Sequence, residues 1–179
     1  MSIARPRADE FAPYYGTYVN AVEGDDALAA LERQRESSQR FLRGIPEARS
    51  GFRYSPDKWS IREVIGHVSD AERIFCYRLL RIARGDETPL SSFDENAYVP
   101  AGGFDRRSLA DVAAELAAVR DATLALAKNL DDIALLRIGT ASGKRISARA
   151  LAWIIAGHEA HHIRVLGERY LGDGRTVGR

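Results

Sequence analysis

Four long segments with helical periodicity most constrain the fold of this chain. They lie between clusters of proline and glycine, the residues that end helices and form turns. Within each segment, apolar residues recur at steps of three and four, as on one face of an amphipathic helix. The segments cover residues 25–43, 60–84, 108–129 and 147–171. Because strand patterns are scarce, the sequence predicts an all-α protein in which four apolar faces meet in one core.

The second segment begins with the clearest local signal, the run from Trp59 to Val64. Ser60 and Glu63 are spaced as a capping box, in which each side chain bonds the backbone amide of the other residue. Trp59 can pack on Val64 as a hydrophobic staple. These features predict that a helix begins here, and apolar residues continue at helical spacing until Gly85.

Chain length and connections predict one domain with an uneven topology. The 179 residues have the usual size of a single domain, here residues 1–179, with an N-terminal arm (1–24) and a flexible tail (172–179). The link at residues 85–105 is about twenty residues long, more than a tight helix-to-helix turn needs. A long crossover between the second and third helices favours an up-down-down-up four-helix bundle.

Charge and cysteine content exclude several functional classes. The 26 basic residues nearly balance 25 acidic ones, so no net field draws the chain to nucleic acid or to an anionic membrane. The first residues lack the apolar run of a secretory signal, and no segment approaches the roughly 20 apolar residues that span a bilayer. The single cysteine, Cys76, excludes an internal disulfide. These features predict a cytoplasmic protein.

The fourth segment carries two histidines on its apolar face. His158 and His162 fall at the centre of the stripe formed by neighbouring leucine, isoleucine and valine residues. Residues four apart lie on one side of a helix, so both imidazoles can reach a single metal ion. The alternative is a pair of core histidines with ordinary hydrogen-bond partners, and the pair alone does not decide between the two.

His67 is the only histidine outside this helix. By angular position it lies on the shoulder of the second helix's apolar stripe, beside Val64 and Ala71, so an inward orientation is permitted but not required. Three neutral imidazoles with an open fourth position form the arrangement that activates a bound water or holds a substrate atom. His67, His158 and His162 are therefore a candidate metal site.

Other residues near the histidines have competing interpretations. His161 could replace a ligand, bond to one, or remain half-exposed. Glu72 lies on an apolar face and needs a partner, either an arginine from another helix, which we favour, or a metal-bound group. Cys76 lies nine residues after His67, on the opposite side of the helix, which argues against thiolate ligation. Glu159 and His161 are the candidate general bases, since they are nearest to the pair in sequence.

Residues 158–162, HEAHH, also match the H-E-x-x-H pattern of zinc proteases, in which the glutamate activates a metal-bound water. Such enzymes take a third ligand from farther along the chain, where this sequence offers only Glu168 and Asp173. Glu168 lies about 120° round the same helix from His162 and cannot converge on the ion. A protease is therefore disfavoured.

Several motifs together resemble a known family. They are Lys58 to Glu63 with Gly66-His67, Asp70 to Phe75, Phe93 to Glu95, Gly157 to His162, and Glu168 to Tyr170. The chain resembles the DinB-like (DinB/YfiT) superfamily of DNA-damage-inducible proteins over nearly its whole length. That resemblance implies an up-down-down-up four-helix bundle, often a homodimer, with one nickel or zinc ion in a cleft. The implied ligands are His67, His158 and His162.

The resemblance also implies a reaction class. Characterised members of the superfamily are transferases that use low-molecular-weight thiols such as bacillithiol or mycothiol, maleylpyruvate isomerases among them. We therefore expect a metal-dependent thiol S-transferase in detoxification or stress response, with a small thiol and an electrophile as partners. A metal-dependent hydrolase and a non-catalytic metal-binding stress protein are the alternatives. A fourth protein ligand would favour the last, because catalysis needs a replaceable ligand.

Two further regions carry weaker signals. Tyr14, Tyr15 and Tyr18 in the N-terminal arm are expected to pack on the bundle, or to line a pocket or a dimer contact. The basic, glycine-containing segment 137–145 is predicted to be a solvated turn rather than an anion site.

Overall fold

The structure, a computed structural model, describes residues 2–172 and is predominantly helical. Within this range the α-helices are α1 (Gly16–Val19), α2 (Ala27–Arg43), α3 (Ile61–Ala83), α4 (Glu95–Gly102), α5 (Leu109–Ala127), α6 (Asp132–Leu136) and α7 (Ala148–Val165). Two strands, β1 (Ile138–Ala141) and β2 (Lys144–Ser147), form a hairpin, and a π-helical turn, Leu166–Tyr170, extends α7. Helices α2, α3, α5 and α7 match the four predicted segments, which confirms the all-α bundle.

Each long helix begins at a residue whose side chain caps it. Asp26, Ser60, Ser108 and Ser147 each accept a hydrogen bond from a backbone amide in the first turn, and so satisfy a donor that has no partner within the helix. At Ser60 the bond is reciprocal, because its own amide donates to the Glu63 carboxylate at 2.7 Å. The predicted capping box is confirmed.

Helices α3 and α5 lie side by side and run in the same direction. Arg120 of α5 donates to Glu72 of α3. Further along both helices, Cys76 and Thr123 line the same groove. Two helices joined by one connection can be parallel only if that connection returns along the bundle.

Helix α7 packs against α3 in the opposite direction. The ring of His67 contacts His162, whereas Phe75, two turns later in α3, contacts His158, which lies one turn earlier in α7. This antiparallel pair brings the histidines of the two helices to the same level of the bundle.

Helix α2 completes the bundle by packing on α5 and α7. Gln39 donates to the Ala113 carbonyl, and Glu32 pairs with Lys128, so α2 and α5 are antiparallel. The long helices therefore form a ring in the order α2, α5, α3, α7. Their directions are those of the predicted up-down-down-up topology.

The crossover between α3 and α5 contains helix α4 and a 3₁₀ turn, Phe104–Arg106. Phe104 is buried against α3 at Gly66, where a Cβ atom would lie 2.4 Å from the phenyl ring. Glycine at this position lets the crossover approach the α3 backbone one residue before His67.

Segment 137–145 forms most of a β-hairpin, and the solvated turn expected there is the exposed tip of that hairpin. Strands β1 and β2 pair antiparallel, and Ser142 and Gly143 at the turn have φ values of 52° and 70°, as type I′ hairpin turns require. The Leu90 amide donates to the Thr140 carbonyl, and the Ser142 amide donates to the Leu90 carbonyl, so the crossover is attached to the hairpin. Strands of four residues are too short to show a clear alternating pattern in the sequence.

A polar layer divides the bundle core into two apolar clusters. One cluster contains Phe75 of α3 and Trp153 of α7, and the other contains Val64 of α3 and Ile163 of α7. Between them, the helices carry Gln34, His67, Glu72, Arg120, His158, Glu159 and His162. The candidate metal ligands lie in this layer.

The N-terminal arm packs on α7, as expected. The Trp153 indole donates to the carbonyls of Ile3 and Ala4 at 3.0 and 3.1 Å, and Glu10 accepts from Arg149 and Ser147. In the described part of the chain, no helix combines the length and apolar character needed to cross a membrane. Apart from residue 172, the predicted flexible tail lies outside the described residues.

Candidate metal centre

Three imidazoles from two helices meet in the polar layer. His67 lies in α3, and His158 and His162 lie one turn apart in α7. The ring centroids are 4.5 to 5.0 Å apart, and one nitrogen from each ring lies within 4.8 Å of the others. The structure thus brings together the three residues that the sequence singled out.

The geometry of these nitrogens fits a single metal ion. Two imidazole nitrogens that bind a tetrahedral ion at about 2.0–2.1 Å lie about 3.3 Å apart. The Nε2 atoms of His67 and His158 are 3.1 Å apart. Within residues 2–172, no fourth histidine, cysteine, aspartate or glutamate joins the cluster. Such a donor set suits zinc or nickel and leaves a coordination position for another ligand.

Burial keeps the three imidazoles neutral. It lowers the pKa of His67 to about 4, although the charge of Glu95 acts in the opposite direction. Burial, followed by repulsion from neighbouring histidines, lowers the pKa of His158 and His162 well below the ordinary value. A neutral imidazole is the form that binds a metal ion, so the site is ready to bind one at neutral pH.

Aromatic side chains surround the histidines. The Trp59 ring lies 4.8 Å from His67, and the Phe75 ring lies 5.8 Å from His158. Tyr18, in α1, approaches His158 edge-on at 5.3 Å. Tyr18 therefore packs against the bundle, as expected, and does so beside the histidines.

One acidic residue near the site was missed by sequence reasoning. Burial raises the pKa of Tyr18, and the negative charge of Glu95 in α4 adds to that effect. The same charge partly offsets the lowering of the His67 pKa by burial. Glu95 belongs to the motif Phe93 to Glu95, one of those that carried the family resemblance, but nothing in its spacing linked it to histidines in other helices. Glu95 approaches His67 because the crossover between α3 and α5 carries α4 to it.

His161 lies beside the cluster rather than in it. It is half-exposed, and its ring lies 5.1 Å from His162 and 5.8 Å from Tyr18. Of the three options considered for His161, the structure therefore agrees with a half-exposed residue that is not a ligand. Its role as a general base stays a prediction.

Glu159 is held in a buried ion pair, away from solvent. Its carboxylate is 3% exposed and accepts a hydrogen bond from Arg120 at 2.6 Å. Arg120 also donates two bonds of 2.8 Å to Glu72, which confirms the preferred arginine partner for Glu72. These contacts oppose a general-base role for Glu159, and with it the zinc-protease interpretation of residues 158–162.

Arg120 connects all four helices of the bundle. Besides its two carboxylate partners, it donates to the Leu31 carbonyl and to the Gln34 side chain in α2, and Gln34 in turn donates to the Ala156 carbonyl in α7. Sequence reasoning missed this residue. The available signal was its position four residues after Leu116, on the apolar stripe of α5.

Cys76 lies in a separate groove between α3 and α5. The groove has a volume of about 550 Å³ and is lined by Arg73, Cys76, Tyr77, Leu80, Ala118, Val119, Ala122, Thr123 and Leu126. Cys76 is half-buried there, and burial raises its pKa, so the thiol stays protonated. Cys76 thus lies apart from the histidine cluster, as the sequence predicted. Its side chain is only partly buried.

Two solved proteins have a similar fold. YfiT from Bacillus subtilis, described as a probable metal-dependent hydrolase with an unusual four-helix bundle topology, matches with a TM-score of 0.64 and 19% identity over 94% of each chain. The mycothiol-dependent maleylpyruvate isomerase matches with a TM-score of 0.63 and 17% identity over 84% of this chain. A mutant of that isomerase matches with a TM-score of 0.62. This chain spans 61% of the isomerase's length.

Sequence comparison gives the family. No curated protein matches the sequence significantly. A family model described as the DinB superfamily matches residues 30–166, which include three of the four long helices in full and most of the fourth. The chain belongs to the DinB superfamily.

Proposed function

We propose that this protein is a metal-dependent enzyme that binds one divalent ion, nickel or zinc, through His67, His158 and His162. The observation that carries the proposal is the convergence of three neutral imidazoles from two helices, of which His67 and His158 are buried and His162 is partly exposed. A purely structural site would be closed by a fourth protein ligand, and the described residues place none in the cluster.

The proposed reaction is transfer of a low-molecular-weight thiol to an electrophile, in detoxification or stress response. The fold similarity to a mycothiol-dependent isomerase supports this class. A bound divalent ion supplies Lewis acidity, which favours the thiolate form of a bound thiol at neutral pH. The chain itself provides the aromatic walls of the site, which are formed by Trp59, Phe75 and Tyr18. His161 is the proposed proton-exchanging group, which its half-exposed position beside the site supports.

Hydrolysis is the second candidate, with water in place of the thiol. It is favoured by the extent of the structural match, which covers 94% of both this chain and the probable hydrolase YfiT. The match to the isomerase leaves more than a third of that protein without a counterpart.

The test combines metal analysis with turnover. We expect the purified protein to contain about one zinc or nickel ion per chain, and His158→Ala to lose it. His161→Ala is the matched control, because it removes a neighbouring imidazole outside the cluster and should retain the metal. Loaded protein is then assayed with bacillithiol, mycothiol and glutathione against a chromogenic aryl halide, and without thiol against an activated ester.

Each outcome separates the candidates. Thiol-dependent turnover that is lost in His158→Ala supports the transferase, and ester cleavage without thiol supports the hydrolase. Bound metal without either activity would leave the non-catalytic metal-binding protein as the better description. A protein that binds no divalent ion would contradict the whole proposal.

We also propose a cytoplasmic homodimer without nucleic-acid partners. The balanced charge supports the last point, and the dimer is what the superfamily resemblance implies. Light scattering on the purified protein checks the mass of the assembly, and a monomer at micromolar concentration would contradict the dimer.

A further inference from the structure

The buried ion cluster beside the histidines carries more negative than positive charge. Glu72, Arg120 and Glu159 are each 2–3% exposed. Within residues 2–172, Arg120 is the only ion-pair partner that the structure gives to either carboxylate. Two carboxylates against one guanidinium leave one excess negative charge. A buried charge without compensation is costly, so this arrangement favours a cation nearby.

The candidate metal site lies next to the ion cluster along both α3 and α7. Glu159 directly follows His158 and precedes His162 by three residues. At about 1.5 Å per residue, its backbone lies only about 1.5 Å and 4.5 Å along the helix axis from theirs. Glu72 lies five residues after His67 in α3. The ion cluster and the histidines therefore share one layer of the bundle.

The surroundings let the charges interact. Apolar clusters lie on both sides of the polar layer, and Phe75 packs directly on His158. Water and salt ions, which weaken interactions between exposed charges, have little access to such an interior. A divalent ion at the histidines and the excess carboxylate charge would therefore stabilise each other.

We propose that Glu72, Arg120 and Glu159 are positioning residues that raise the affinity of the three-histidine site for a divalent cation. This inference rests on the metal site of the proposed function. It also specifies the remaining ligand. An ion of charge +2 beside a cluster of charge −1 leaves a net charge of +1, which a monoanion such as a thiolate neutralises, whereas a dianion would reverse it.

The test is the metal affinity of Glu72→Gln and Glu159→Gln, measured by competition with a chromogenic chelator for Zn²⁺ and Ni²⁺. Glutamine keeps the size of the side chain and can still accept a bond from Arg120, but it removes the excess charge. We expect the dissociation constant to rise about tenfold or more, the range typical of groups that support metal ligands. Arg120→Lys keeps the net charge of the cluster, so its dissociation constant for the metal should stay closer to that of wild type.

Glu10→Gln is the matched control. Glu10 is also buried and bonded to an arginine, Arg149, but Arg149 lies nine residues before His158, about 14 Å along the helix axis. We expect this variant to lose stability and to keep its metal affinity. Unfolding in chelator gives a second readout, because removal of an uncompensated charge should leave metal-free Glu159→Gln at least as stable as metal-free wild type.

These experiments distinguish a failure of the positioning role from a failure of the proposed metal site. Wild-type protein that binds no metal overturns both. If wild type binds metal and both glutamine variants bind it within twofold of wild type, the positioning role is overturned and the metal site stands. A loss of metal-free stability with unchanged affinity would show that the cluster only supports the fold.

Discussion

The imidazoles of His67, His158 and His162 titrate inside the bundle, and burial lowers the pKa of each. In the unfolded chain a histidine has a pKa of about 6.5. Between that value and the lowered native one, the unfolded chain binds more protons than the native protein. Stability therefore rises with pH in this window and is lost as the pH falls below about 6.5.

We expect metal-free protein to lose stability steeply between pH 7 and pH 5. Each buried histidine contributes at most about 1.4 kcal/mol per pH unit. Urea unfolding in chelator at several pH values measures the slope, and His67→Phe should reduce it by removing one titrating group. Equal slopes for the variant and wild type would contradict the lowered pKa of His67.

Single residues also show where sequence reasoning succeeds and where it stops. His158 and His162 could be placed because both lie on one face of one helix, where spacing fixes direction. His67 could not be placed firmly, since the meeting of two helices depends on tertiary packing. Arg120 was missed because an arginine on a mostly apolar stripe, without knowledge of Glu72 and Glu159, gives no sign of its partners.

At the scale of the helices, close approach at glycine determines where elements cross. Gly157, the residue before His158, lies directly under α1, where a Cβ atom would come within 2.0 Å of the Tyr18 carbonyl oxygen. Backbone atoms cannot yield as a flexible side chain does. Any larger residue must therefore push α1, and Tyr18 with it, away from the histidines.

We expect Gly157→Ala to cost about 1–3 kcal/mol of stability, the range for overpacked sites. Gly16→Ala is the matched control, because a Cβ at Gly16 would meet its nearest neighbour at 4.0 Å, an ordinary contact. Chemical unfolding compares the two variants. The same loss in both, or none in Gly157→Ala, would argue against the close crossing.

The elements that could be predicted were those with strong local signals. The capping box at Ser60 and the helical periodicity of four segments are properties of neighbouring residues, and all were confirmed. The β-hairpin was missed, because each strand has four residues and one edge is completed by a bridge from Leu90 in the crossover. A contact between segments about fifty residues apart leaves no local pattern to read.

For the whole molecule, the two apolar clusters indicate a bundle that folds without the proposed metal ion. They surround the polar layer and include side chains from all four long helices. Metal binding adds stability according to its free concentration, about 4 kcal/mol at a thousand times the dissociation constant. The proposed ion would therefore strengthen a fold that the apolar core already specifies.

We expect a chelator to lower the melting temperature and to leave the helical circular dichroism at 25 °C unchanged. Addition of Zn²⁺ should restore the melting temperature, and His158→Ala should not respond to either treatment. If the helical signal were instead lost on chelation, the ion would be required for folding, as in small zinc-dependent domains.

The separation of the candidate ligands along the chain has a consequence for biosynthesis. His67 and His158 are 91 residues apart in the chain, and α7 is made after every other described helix. The proposed ligand set is therefore incomplete until α7 has been synthesised and has packed on α3, and pairing of such distant segments is a slow step. A metal ion held by all three histidines could not guide the folding of α2, α3 and α5 before α7 has joined them.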